Sequence, residues 1–238
     1  MPVALDQVLR IPLAPLLVVQ GLGVRRRANT LSEPPGAREG CAGSGVALRL
    51  LIIGDSSAAG VGARSQEAAL SGQLVAALAK DFAVSWKLIG ETSATTSIVL
   101  DRLAQSEPAP FDVVVSALGV NDVTRGSSRV FWQARQKQLA KRLVNRFGAK
   151  LIVASGLPPM GAYPELPQPL RWVLGQQAQR LDLALAELCD THQVMTHLPI
   201  DVPFEPHFQA ADGYHPSEAA YALWGQMIAT HIRQHFKG

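Results

Sequence analysis

The chain has 238 residues, of which 47% are apolar and 17% charged, with a net charge of +3. This suits one globular unit with a substantial core and excludes a disordered chain. The small net charge gives no footing for nucleic-acid binding, and two cysteines provide neither a disulfide framework nor paired zinc ligands.

In chain order, the first forty-odd residues stand apart. Ile11 to Gly23 is mostly apolar, interrupted by Pro12 and Pro15, and Arg25-Arg26-Arg27 follow it. The run is shorter than the ~20 residues of a spanning helix. A secretory signal would carry its positive charge before the apolar stretch, whereas here it comes after. The expectation is a cytoplasmic protein whose N-terminal segment is either a helix packed on the domain's flank or an amphipathic helix in peripheral contact with the inner face of a membrane. Residues Ser32 to Ser44, rich in Gly, Pro and Ser, read as a linker. The division expected is therefore 1–45 as N-terminal segment and linker, and 46–238 as the main domain.

From Ala47 onward, short apolar runs alternate with longer helical patterns. The strands expected are Ala47–Ile53, Val84–Ile89, Phe111–Leu118, Lys150–Ala154 and Val194–Leu198. Continuous runs such as Val113-Val114-Val115 indicate burial on both faces, as in a parallel sheet. A helix capped by Ser127 or Ser128 runs to Phe147 and stops at Gly148. A second spans about Leu170 to Thr191. The last begins at Pro216, with proline at its first position and Glu218 in its first turn, and runs to Phe236. This alternation predicts an α/β protein, a three-layer α/β/α sandwich with a flavodoxin-like five-stranded parallel sheet.

Polar segments follow the strands. Gly54–Gly62 comes after the first, Gly90–Thr96 after the second, Gly119–Asp122 after the third, Gly156–Tyr163 after the fourth, and Asp212–His215 after the fifth. In an open parallel sheet these loops gather at the carboxyl ends of the strands, where ligands bind. A serine, a histidine and a carboxylate thereby reach one rim, and they are the groups acyl transfer needs.

Three of these segments, in this order, resemble the SGNH hydrolases, also called the GDSL esterase/lipase family. Gly54-Asp55-Ser56 resembles the first block, Gly119-Val120-Asn121-Asp122 the third, and Asp212-Gly213-Tyr214-His215-Pro216 the last. The resemblance runs from about Leu48 to the C-terminus. It implies a cofactor-free, metal-free serine esterase with Ser56 as nucleophile, His215 as base and Asp212 as its orienting carboxylate. Donors to the oxyanion would be the Ser56 N–H, the Asn121 side chain and a residue of the second block. That block has a glycine in the family, and Thr92-Ser93-Ala94-Thr95-Thr96 places Ser93 there, with Gly90 as the other alignment.

The remaining candidates have simpler readings. Asp55 and Ser56 also suit a turn that caps a helix. Asp122 is expected to bond nearby loop N–H groups, Cys189 to be a buried small hydrophobe, and His192, His197, His207, His231 and His235 to be structural or solvent-facing. The proline-rich stretch Gly156–Pro169 reads as a stiff wall or partial lid of an acyl pocket, with Met160, Tyr163 and Leu166 as candidate lining residues, or else as simple loop packing. The substrate expected is a small-molecule or lipid ester, with carbohydrate O-acetyl ester hydrolysis or acyl transfer as the enzymatic alternative. Two binding-only readings compete: a catalytically silent member, and a nucleotide module with Gly54, Gly60 and Gly62 around a phosphate. The latter lacks the phosphate-loop lysine.

Overall fold

The computed structural model describes residues 4–28, 30–203 and 205–236. Leu5–Ala28 form helix α1, and Glu39–Ala42 form strand β1. The central strands are β2 (Val46–Gly54), β3 (Phe82–Gly90), β4 (Val113–Ala117), β5 (Leu151–Ser155) and β6 (Met195–Leu198). Between them lie α2 (Ser56–Ala59), α3 (Leu70–Leu78), α4 (Thr96–Gln105), α5 (Val120–Thr124), α6 (Arg129–Phe147) and α7 (Leu170–Asp190); α8 (Glu218–His235) closes the chain.

The sheet order is β1-β3-β2-β4-β5-β6. β2 to β6 pair in parallel in the flavodoxin-like order, as the alternation implies. The sheet is nevertheless mixed and six-stranded: β1 adds antiparallel to the outer edge of β3, with Glu39 opposite Lys87 and Ala42 opposite Val84. Residues expected as a linker thus contain an edge strand. Glu-Gly-Cys-Ala carries too little apolar or β-branched character to announce itself, and the free edge of β3 supplies its pairing.

Both sheet faces are covered. Leu51, Ile53, Val114 and Ile152 point into a core with α4, α6 and α7. Leu48, Leu50, Ile52, Val113, Val115 and Val153 point the other way, against α3 and α8. The strict alternation within β2 is the two-residue period of a strand buried on each side. Helix α6 has the caps expected, with Ser128 Oγ accepting from the Phe131 N–H and Gly148 left-handed at φ 64°. Helix α8 starts later than Pro216. Ser217 is its N-cap, and Pro216 instead forms a bridge with Gln209.

Helix α1 is longer than its apolar run. Its 24 residues include both prolines, and in length and composition it could cross a membrane, as signal sequences and core helices also could. Here it lies against α7. The Asp6 carboxylate is buried and accepts from Arg180 at 2.7 Å and Arg10 at 2.9 Å. Burial would raise its pKa, but the two guanidiniums hold it below the ordinary carboxylate value.

Candidate active site

Strand β2 and strand β4 diverge to opposite neighbours in chain order, and the crevice beyond their carboxyl ends is where such sheets bind ligands. Ser56 sits there as the first residue of α2. The preceding Gly54 is obligatory, because a Cβ would lie 2.3 Å from the Ala117 carbonyl oxygen and 2.5 Å from the Ala58 Cβ. Asp55, almost fully buried, caps α2 by accepting from the Ser57 N–H at 3.0 Å. The capping reading of Asp55 and the presentation of Ser56 are therefore one device: the cap fixes the turn that leaves the hydroxyl half-buried at the crevice floor.

Asp212 and His215 come from the loop before α8. His215 Nε2 is 3.0 Å from Ser56 Oγ, and His215 Nδ1 is 2.6 Å from Asp212 Oδ2. The other carboxylate oxygen accepts from the N–H groups of Tyr214 at 2.9 Å and His215 at 3.1 Å. Burial opposes the charge on Asp212, but the imidazole and these two N–H groups outweigh it and hold the carboxyl below its ordinary value. The three-residue spacing serves both tasks, since one short turn bonds the carboxylate to the backbone and to the ring.

The serine and histidine loops are joined. Tyr221 Oη on α8 donates to the Val61 carbonyl at 2.6 Å, and Arg64 pairs with Glu218 at 2.9 Å. Gly62, at φ 104°, admits the Pro216 carbonyl where a Cβ would sit 2.3 Å from it. The segment after α2 and the start of α8 are thereby held together beside Ser56 and His215.

Asn121 lies in α5, after Gly119 at φ 134°. Its Nδ2 donates to the Ala94 carbonyl at 3.0 Å and lies 3.5 Å from Asp55 Oδ2. Ser93 is the sole non-glycine with positive φ among the described residues, at 66°, the backbone region where glycine is favoured. Its carbonyl accepts from Arg125 at 3.0 Å. Ser93 lines the same cavity as Ser56 and Asn121. Gly90 ends β3 against the backbone of Ala59 and lines a separate groove.

That cavity holds about 650 Å³ and has Met160, Tyr163 and Leu166 in its wall. The wall also takes residues from α1 (Ala14, Leu17, Gly21 and Val24), which the sequence reading did not place there. Nor did it foresee Glu33, whose carboxylate accepts from the Thr92 N–H and hydroxyl at 2.8 Å and so braces the loop bearing Ser93. Asp122 accepts from the Thr96 N–H and hydroxyl at 3.0 Å, and burial raises its pKa. His197 pairs with Asp182 at 2.9 Å, and the same Asp182 oxygen accepts from the Leu157 N–H, pinning the start of the 156–169 loop. Among the described residues no cluster of three His, Cys, Asp or Glu side chains is arranged to hold a metal.

The serine-first, histidine-last arrangement on this sheet has counterparts among known proteins. The model of the GDSL-like lipase/acylhydrolase family matches residues 52–223. The chain belongs to that family. Its matched span runs from within β2 into α8 and so contains every residue of the Ser56–His215–Asp212 arrangement. A GDSL-like esterase of Mycobacterium tuberculosis is 31% identical over 202 residues, covering 78% of this chain and 62% of that protein. The chain thus spans less than two thirds of that relative's length. The crystal structure of TesA superposes with a TM-score of 0.63 at 21% identity, covering 78% of this chain and 98% of the other. A carbohydrate acetylesterase from Sinorhizobium meliloti does so at 0.59 and 18%, covering 79% and 100%. At these identities the two structures attest the GDSL-like fold.

Proposed function

We propose that this protein is a serine esterase that cleaves carboxylic esters through an acyl-enzyme. The observation that carries the reading is the unbroken chain from Ser56 Oγ through the His215 ring to Asp212, at 3.0 and 2.6 Å. His215 Nε2 takes the proton as Ser56 Oγ attacks the acyl carbonyl, then delivers it to the leaving alcohol; water reverses the sequence to free the acid. Asp212 fixes the ring with Nδ1–H toward itself and offsets the imidazolium charge. The Ser56 and Ser93 N–H groups and the Asn121 amide are the donors to the oxyanion. Membership in a family of lipases and acylhydrolases supports the reading.

A fluorophosphonate probe tests it. Labelling should fall on Ser56 and vanish in His215→Ala. A folded protein that takes no label at Ser56 would instead be a binding-only member of the family.

The reading extends to where the enzyme works. Leu5, Val8, Ile11 and Val19 of α1 are exposed outside the cavity wall, Ile11 to 81%, and Arg25, Arg26 and Arg27 are exposed at its end. An apolar row continuous with a basic cluster suits the surface of an anionic bilayer. Flotation with phosphatidylserine vesicles checks this. Binding should weaken when the three arginines become glutamine, and absence of flotation removes the membrane from the proposal.

A further inference from the structure

Helix α1 lies wholly outside the span matched by the family, yet it is fastened to the domain at three points along its length. Asp6 meets Arg180 near its start. Gln20 donates to the Gln168 carbonyl at 2.7 Å and accepts from the Leu170 N–H at 3.2 Å. Arg27 donates to Tyr214 Oη at 3.2 Å, between Asp212 and His215. These contacts turn one face of the helix inward. Ala14, Leu17, Gly21 and Val24 recur at spacings of three and four, and all four line the cavity that contains Ser56 and His215. Leu170, Val173 and Leu174 of α7 are also in its wall.

Gly21 is the unusual member of that face. A glycine inside a helix weakens it relative to alanine, and packing does not demand one here: a Cβ built at Gly21 would meet no heavy atom within 4 Å. The absent side chain leaves open space in the cavity wall. The cavity, at about 650 Å³, lies within the ~300–1,000 Å³ typical of pockets for drug-sized ligands, far more room than an acetyl group occupies.

We propose that α1 is the substrate-selecting wall of this enzyme. The aliphatic chain of a medium-length fatty acyl ester lies along α1, with its carbonyl at Ser56, and the gap at Gly21 sets the chain length accepted. This rests on the esterase reading above. The chemistry matches this stretch of the wall: Ala14, Leu17, Gly21 and Val24 offer dispersion and dehydration to methylenes, while the two arginines of α1 that also line the cavity, Arg10 and Arg25, lie to either side of it, Arg10 engaged by Asp6 and Gln177.

The test compares kcat/KM for p-nitrophenyl decanoate and p-nitrophenyl acetate in the full chain and in Gly21→Phe. The wild type should favour decanoate. Each methylene buried contributes roughly fourfold, so a phenyl group that displaces two of them should lower the decanoate-to-acetate ratio at least about tenfold. Gly21→Leu should give a smaller drop in the same direction, and serves if the phenylalanine variant does not fold. A wild type that favours acetate, or a ratio unmoved in a folded variant, overturns the proposal. Failure of the esterase reading looks different: the wild type would hydrolyse neither ester, or hydrolysis would be undiminished in Ser56→Ala.

Discussion

Arg27 Nε donates to Tyr214 Oη across 3.2 Å, joining the last turn of α1 to the loop that holds Asp212 and His215. The phenol in turn donates to the Glu165 carbonyl at 3.2 Å, so the proline-rich loop meets the same junction. Three segments distant in sequence therefore converge beside the histidine. Two of them also carry the apolar wall of the cavity. The surface that would recognise a substrate is mechanically tied to the groups that would cleave it.

Ser93 occupies backbone space that costs a non-glycine residue about 1–2 kcal/mol. Replacing it by glycine relieves the strain, while the greater freedom of glycine in the unfolded chain offsets part of the gain. Ser93→Gly should stabilise the protein by about 0.5–1 kcal/mol in urea unfolding. Turnover should stay within about threefold, since the N–H is retained and one lost donor typically costs far more. A destabilised Ser93→Gly would mean that the side chain contributes more than the strain removes.

Much of this site is legible in the sequence because its parts are local. Asp212 and His215 are three residues apart and bond to each other, so the motif carries its own geometry. The parallel strands are legible for a similar reason: burial on both faces leaves runs such as Val113–Val115 with no polar interruption. What is not legible depends on partners far along the chain. Glu39–Ala42 becomes a strand because β3 offers an edge. Pro216 carries the mark of a helix start, but the Ala210 N–H bonds to the His215 carbonyl at 2.8 Å and holds the loop extended until Ser217. The placement of α1 rests on Arg180, 174 residues from Asp6, which no periodicity in the first thirty residues could announce.

Asp55 gives the protein a specific pH signature. Burial pushes its carboxyl up to about 6 from an ordinary 3.8, against the pull of the Ser57 N–H and the nearby His215. The folded protein therefore holds this proton more tightly than the unfolded chain does. The stability it contributes is full below pH 3.8 and is lost as pH rises through about 6. Asp55→Asn keeps an acceptor for the Ser57 N–H but does not titrate. Urea unfolding at pH 4 and pH 7.5 should show the wild type losing roughly 2–3 kcal/mol relative to the variant over that interval. A gap independent of pH would show that the carboxylate is as well accommodated folded as unfolded.

Asn121 supports the sharpest kinetic prediction. Its Nδ2 donates one hydrogen to the Ala94 carbonyl, which orients the amide, and the group lines the cavity shared with Ser56. A donor aimed at an oxygen that becomes charged only in the transition state acts on kcat rather than on ground-state binding. Asn121→Ala should therefore lower kcat by roughly 10²–10³-fold with little change in KM. The lost bond to Ala94 should cost only about 1 kcal/mol of stability, so circular dichroism should report an intact fold. Asn121→Asp should be slower still, because the replacement keeps the shape while setting an acceptor and a second negative charge beside Asp55, 3.5 Å away. Steady-state kinetics on p-nitrophenyl acetate separates these cases. An alanine variant that turns over within about twofold of wild type would remove Asn121 from the oxyanion site, leaving the backbone N–H groups of Ser56 and Ser93 to carry the charge.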